Sequence, residues 1–182
     1  SRPELDSDCV VAWGYSPGAY YSLRLAHTHS DRLKASVVHG AFVHHAFSEE
    51  WMKITTVGEY HADLQRALEY KFGIGKDYES SASPAHPPHG YIASNTFSSL
   101  PEAQKTFSLL ETGILKQGHG DCEILVMNGR EDTVAPIEDS ELIMQFPGPK
   151  HAHFPENKGH MCEPGATPVA LQFLQRVINE AK

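Results

Sequence analysis

The sequence predicts an α/β protein, a parallel sheet with helices on both faces and a helical cap inserted between two of its strands. Three observations predict it. Residues 9–13 are apolar throughout, as a parallel strand buried on both faces requires. Segments of strand character then alternate with segments of helical periodicity down the chain. The first strand runs straight into Gly14-Tyr15-Ser16-Pro17-Gly18, a tight turn that opens a helix.

Taken in order, residues 9–13 form the first strand. Residues 19–28 form a helix that puts Ala19, Leu23 and Ala26 on one face. Residues 33–40 read as the second strand. A long connection follows before the third strand at 123–127, and a structureless connection of that length would count against the assignment. This one has structure of its own. Thr56 and Glu59 have capping-box spacing, and Leu64, Leu68 and Phe72 recur every four residues behind them. Ser99, Pro101 and Glu102 start a second helix that runs towards Leu110. Residues 80–90, dense in Ser, Pro and His, form the loop between them. The chain thus divides into core at 1–43, cap at 44–116 and core again at 117–182. After the third strand, Asn128-Gly129 begins a turn that carries an acid ahead of Pro136. Residues 138–145 form a short helix, 150–154 a strand and 157–161 a loop. Thr167 is expected to cap the last helix, with Pro168 at its first position. That helix buries Ala170, Phe173, Leu174 and Val177.

The 182 residues suffice for one domain with a real core. A formal net charge of −8 argues against nucleic acid and anionic membranes as partners. No apolar run approaches the roughly 20 residues that span a bilayer. Cys9, Cys122 and Cys162 make no disulfide framework, so an intracellular, cytoplasmic protein is expected.

Strand, sharp turn with a serine at its tip, then helix is the nucleophile elbow of an α/β-hydrolase. The turn is so tight that side chains two residues before and after the serine would collide with neighbouring backbone, and Gly14 and Gly18 remove them. Downstream come Asp132 and then His160, the chain order of such a triad. Each follows a strand, at the carboxyl edge where a parallel sheet collects ligands. The expected roles are Ser16 as nucleophile, His160 as base and then acid, and Asp132 as the group that orients the imidazole. Glu131 is the rival acid. Asp132 is preferred because it stands four residues before Pro136. Tyr15 and Pro17 flank the serine and are expected to touch substrate. His39, Phe42, His44, Phe47 and Trp51 follow from the end of the second strand and either contact substrate or form the core of the cap. Tyr20 and Tyr21 are expected to pack. The pairs His44-His45, His86/His89 and His151/His153 lack accompanying cysteines or clustered carboxylates, so no metal is expected.

The segments 14–33, 106–115 and 125–139, with Gly159-His160-Met161, resemble the fungal polyketide-shortening hydrolases of conidial-pigment melanin biosynthesis. The resemblance covers nearly the whole chain except 77–96, which looks like an insertion. It implies a heptaketide naphthopyrone as substrate and hydrolytic carbon–carbon cleavage that leaves tetrahydroxynaphthalene. It also implies Ser16, Asp132 and His160 as the reacting residues and no cofactor. One residue departs from it. The position after the serine normally supplies a backbone N–H to the oxyanion, and Pro17 has none. Three outcomes are open: another donor compensates, as in a retro-Claisen hydrolase or a general esterase; the chain does non-hydrolytic polyketide chemistry such as condensation, cyclisation or elimination; or it is a catalytically silent binding module. In this fold the elbow follows the fifth strand of eight. The resemblance therefore implies a carboxy-terminal half, with the other half as a separate chain or a homodimer along the exposed first strand.

Overall fold

The computed structural model describes residues 6–48, 50–51 and 100–181. The expected helix carrying Leu64, Leu68 and Phe72, its capping pair Thr56 and Glu59, and the loop at 80–90 lie outside them. Strands β1 (Val11–Tyr15), β2 (Ala35–His39), β3 (Glu123–Met127) and β4 (Lys150–His153) form a four-stranded sheet in the order β1-β2-β3-β4. Every pairing is parallel.

Alternation along the strands divides the core into two layers. Val38, Ile124 and Val126 face helix α1 (Pro17–Thr28) and helix α3 (Ile137–Met144), joined there by Leu23, Ala26 and Ile143. Ala35, Val37, Leu125 and Met127 face the opposite way, onto Ala170, Phe173, Leu174 and Val177 of helix α4 (Ala166–Glu180). Helix α2 (Leu100–Phe107) lies over the loop that follows β2, where the Gln104 amide donates to the His44 carbonyl. None of the described helices is long and apolar enough to cross a membrane.

Among the boundaries that differ from expectation, those at the elbow and at the last helix have a clear physical reason. Strand β1 extends through Gly14 to Tyr15, and α1 begins at Pro17 rather than Ala19. Proline suits that first position, since its fixed φ is already helical and its missing N–H would have had no partner inside the helix. The connection leaves no slack between strand and helix except Ser16 itself. At the other end of the chain, Gly165 and not Thr167 occupies the cap of α4, with φ 119°. Thr167 lies inside the helix. The carboxylate of Glu163 does the capping, accepting the N–H of Gly165 at 2.9 Å and the N–H and hydroxyl of Thr167 at 3.2 and 2.6 Å. An acid there also meets the favourable end of the helix dipole.

Candidate active site

Ser16 stands between β1 and α1 with φ 53° and ψ −122°. A non-glycine residue held in this region costs on the order of 1–3 kcal/mol. Neighbouring backbone maintains it: the Ser16 N–H donates to the His39 carbonyl at 2.7 Å, and the Ser16 carbonyl accepts from Ala19 at 2.8 Å. Gly14 is indispensable to the turn, because a Cβ there would lie 2.1 Å from the carbonyl oxygen of Gly18. Gly18 contributes differently from expectation. A Cβ on it would meet nothing within 4 Å, so what matters is its backbone, against which Gly14 packs.

Ser16 Oγ is 2.8 Å from His160 Nε2, and His160 Nδ1 is 2.7 Å from Asp132 Oδ2. A carboxylate facing Nδ1 keeps the proton on that nitrogen, which leaves Nε2 bare to accept from the serine hydroxyl. The second oxygen of Asp132 accepts the N–H groups of Val134 and Ala135 at 2.7 and 2.8 Å. The carboxylate is thereby aimed as well as held. Glu131 is exposed; its backbone N–H donates to Lys158, and it is Asp132 that faces the imidazole. Gly40, at φ 72°, lies directly beneath the ring, where a Cβ would approach His160 Cε1 to 2.9 Å.

The arrangement can deprotonate a hydroxyl while the imidazolium that forms is stabilised by a fixed carboxylate. The Cys162 thiol nearby is a poor nucleophile. Burial, with help from Glu163 and Asp132, pushes the Cys162 thiol up to about 12. The first residue of α1 is Pro17, so the helix offers no N–H from the position after the serine. Among the described residues, no group of three or more His, Cys, Asp or Glu side chains is arranged to hold a metal.

The residues expected around the substrate fall into distinct places. Tyr15 is 45% exposed and stacks on Trp13 with ring centroids 5.1 Å apart. Phe42 is buried and meets the His160 ring edge-on at 6.4 Å. Phe47 is buried between Tyr20 and Phe107. His44 Nδ1 bonds Ser108 Oγ at 2.8 Å, and the Trp51 indole N–H donates to the Val134 carbonyl at 3.0 Å, tying the start of the cap segment to the loop that aims Asp132. His39 is completely buried, and its ring faces the Met161 carbonyl.

One residue that sequence patterns did not single out is Asp139, in the first turn of α3. Fully buried, its carboxylate accepts the N–H groups of Val43, His44, His45 and Ala46 at 2.7–3.1 Å. Burial pushes its carboxyl up while those four N–H groups pull it down. An acid at a helix start is an ordinary capping signal, and nothing local announces partners more than ninety residues away.

No family model and no curated protein matches the sequence. Solved structures do match its architecture. Acetyl xylan esterase 1 from Thermoanaerobacterium sp. aligns over 96% of this chain and 47% of its own, with a TM-score of 0.58 and 18% identity. An α/β hydrolase enzyme from a sediment metagenome of the Mar Chica lagoon aligns over 96% of this chain and 63% of its own, with a TM-score of 0.54 and 13% identity. This is the α/β-hydrolase fold. A meta-cleavage product hydrolase gives a TM-score of 0.51 at 18% identity, over 96% of this chain and 66% of its own. The α/β-hydrolase architecture is therefore common to all three, and this chain spans about half to two thirds of each.

Proposed function

We propose that this chain carries the reacting groups of a serine-type hydrolase that cleaves a carbon–carbon bond beside a ketone in an aromatic polyketide such as a heptaketide naphthopyrone. The observation that carries the reading is the continuous relay from Ser16 Oγ through His160 to Asp132, mounted on a strained elbow. The sequence resemblance supplies the substrate class. A meta-cleavage product hydrolase shares the fold.

In this reading His160 Nε2 takes the Ser16 proton as Oγ adds to the ketone carbonyl. A tetrahedral oxyanion forms. Its collapse breaks the carbon–carbon bond, and the electron pair leaves on the ring carbon, delocalised into the neighbouring carbonyls as an enolate. His160 returns the proton to that carbon. Water, deprotonated by the same imidazole, then releases the acyl group from Ser16.

Pro17 favours a second reading, a non-hydrolytic polyketide-tailoring enzyme on the same scaffold, because loss of one oxyanion donor typically costs about a hundredfold to a thousandfold. The test is to treat the protein with a fluorophosphonate and, separately, with a naphthopyrone. Labelling at Ser16 with release of a shortened aromatic product and an acetoacetyl-derived acid supports the hydrolase. Labelling with a rearranged or dehydrated product of unchanged carbon count supports the tailoring enzyme. No labelling at Ser16 would reduce the chain to a binding module.

A further inference from the structure

His39 closes β2, and both its backbone and its ring reach the site. Its carbonyl oxygen accepts the Ser16 N–H at 2.7 Å. Its ring has no solvent exposure and brings Nε2 to 2.6 Å from the Met161 carbonyl oxygen. A carbonyl can only accept, so Nε2 carries the ring proton and Nδ1 is bare. Among the described residues Nδ1 has no hydrogen-bond partner, and it is buried. Burial also pushes this imidazole down from its ordinary range, in keeping with a ring that stays neutral. A bare buried nitrogen costs free energy.

What the ring holds is unusual backbone. Met161 and Cys162, directly behind His160, have φ of 68° and 42°. Two successive non-glycine residues in the left-handed region cost on the order of 1–3 kcal/mol each. Within this turn the Cys162 N–H donates to Gly159 at 3.1 Å, and the Met161 carbonyl is turned towards His39.

We propose that His39 is a positioning residue: it sets the separation of Ser16 and His160, holding the elbow by its carbonyl and the His160 turn by its Nε2–H. The chemistry it serves rests on the hydrolase reading; the positioning itself does not. Three forms of the full chain test it: wild type, His39→Gln, whose amide N–H replaces Nε2–H, and His39→Leu. The first readout needs no substrate. Nitrogen NMR should show the Nε2–H tautomer at His39, and the downfield proton of the His160–Asp132 bond should persist in His39→Gln and be shifted or lost in His39→Leu. The second is the rate of fluorophosphonate labelling of Ser16, expected to fall roughly 10- to 100-fold in His39→Leu with inhibitor binding unchanged, and to stay within a few-fold in His39→Gln. If His39→Leu does not fold, His39→Asn, whose shorter amide falls short of Met161, takes its place. An Nδ1–H tautomer, a downfield proton unmoved in His39→Leu, or failure of His39→Gln to retain it would each overturn the proposal. A wild type that does not label at all would instead remove the hydrolase reading, while the NMR readout still decides the positioning.

Discussion

Both ends of the sheet hold buried histidines, and they differ in what faces the ring. At the carboxyl end His160 Nδ1 meets the Asp132 carboxylate at 2.7 Å. At the amino end His27 packs edge-on against His119, with ring centroids 5.1 Å apart, and its Nδ1 bonds the Gly118 carbonyl at 2.9 Å. Behind that pair, Lys150 Nζ lies 3.4 Å from His119 Nε2 and also donates to the Phe146 carbonyl. An imidazole beside a fixed carboxylate can take up a proton during a reaction and be stabilised while it holds it. One surrounded by an imidazole, an ammonium group and a carbonyl stays neutral and serves as a shaped hydrogen-bonding filler. A sequence rich in histidine therefore says little about chemistry until the sign of each neighbour is known.

The largest way to break the contrast is to remove the carboxylate. Asp132→Asn should lower turnover and Ser16 labelling by about ten-thousandfold, because the amide no longer fixes the tautomer that leaves Nε2 bare. A loss smaller than tenfold, measured by the initial labelling rate, would mean that Asp132 is no more than a loop anchor.

Next in size is a carboxylate at the same end that has no charged partner among its hydrogen bonds. Asp139→Ala leaves four backbone N–H groups without their acceptor, and should cost at least about 3 kcal/mol in denaturant unfolding, since a single buried donor left unpaired costs about 1–3 kcal/mol. An unfolding midpoint equal to the wild type's would show that water replaces the carboxylate freely.

The amino end supplies the third test. Burial, with the neighbouring His119, pushes His27 down to about 4 from an ordinary 6.5. Between those values the unfolded chain binds a proton that the folded one refuses. The stability His27 contributes is therefore full above pH 6.5 and is lost as the pH falls towards 4, by on the order of 1–3 kcal/mol once solvent screening is allowed for. Urea unfolding at pH 7.5 and 4.5 should show the difference, and His27→Asn should shrink it. A slope as steep in the variant would assign the effect elsewhere.

The smallest expected effect sharpens the site itself. Pro17→Ala restores a backbone N–H after the nucleophile and should raise ester turnover by up to about a hundredfold if that donor is what the site lacks. An unchanged rate would mean that another group already serves. A fall would mean that the proline shapes the site for its own chemistry.

The elbow, Asp132 and His160 were legible in the sequence because each is marked locally: a glycine-flanked serine after an apolar strand, an acid before a proline, a histidine in a loop. The preference for Asp132 over Glu131 also follows from that spacing, and it is the Asp132 carboxylate that lies 2.7 Å from His160 Nδ1. Asp139 was not legible, since its partners at 43–46 are joined to it only by the fold. The sequence places His39 near the site, but a histidine ending an apolar strand does not reveal that its ring faces a carbonyl from residue 161. The cap of α4 is not where the sequence places it because Thr167 before Pro168 imitates a cap signal, while the residue that takes the cap is Gly165, at φ 119° with its N–H donating to the Glu163 carboxylate.

The loops carrying Asp132 and His160 are laced together through main-chain atoms. A Cβ on Gly129 would lie 2.1 Å from the Lys158 carbonyl oxygen and 2.2 Å from that of Gly159, and the Arg130 and Glu131 N–H groups donate to Pro155 and Lys158. Amides make such bonds whatever side chain they carry. Arg130, Glu131 and Lys158 can therefore drift through many substitutions without moving the acid relative to the base, whereas Gly129 tolerates none. A chain built this way can change most of its side chains here and still keep Asp132 and His160 in register.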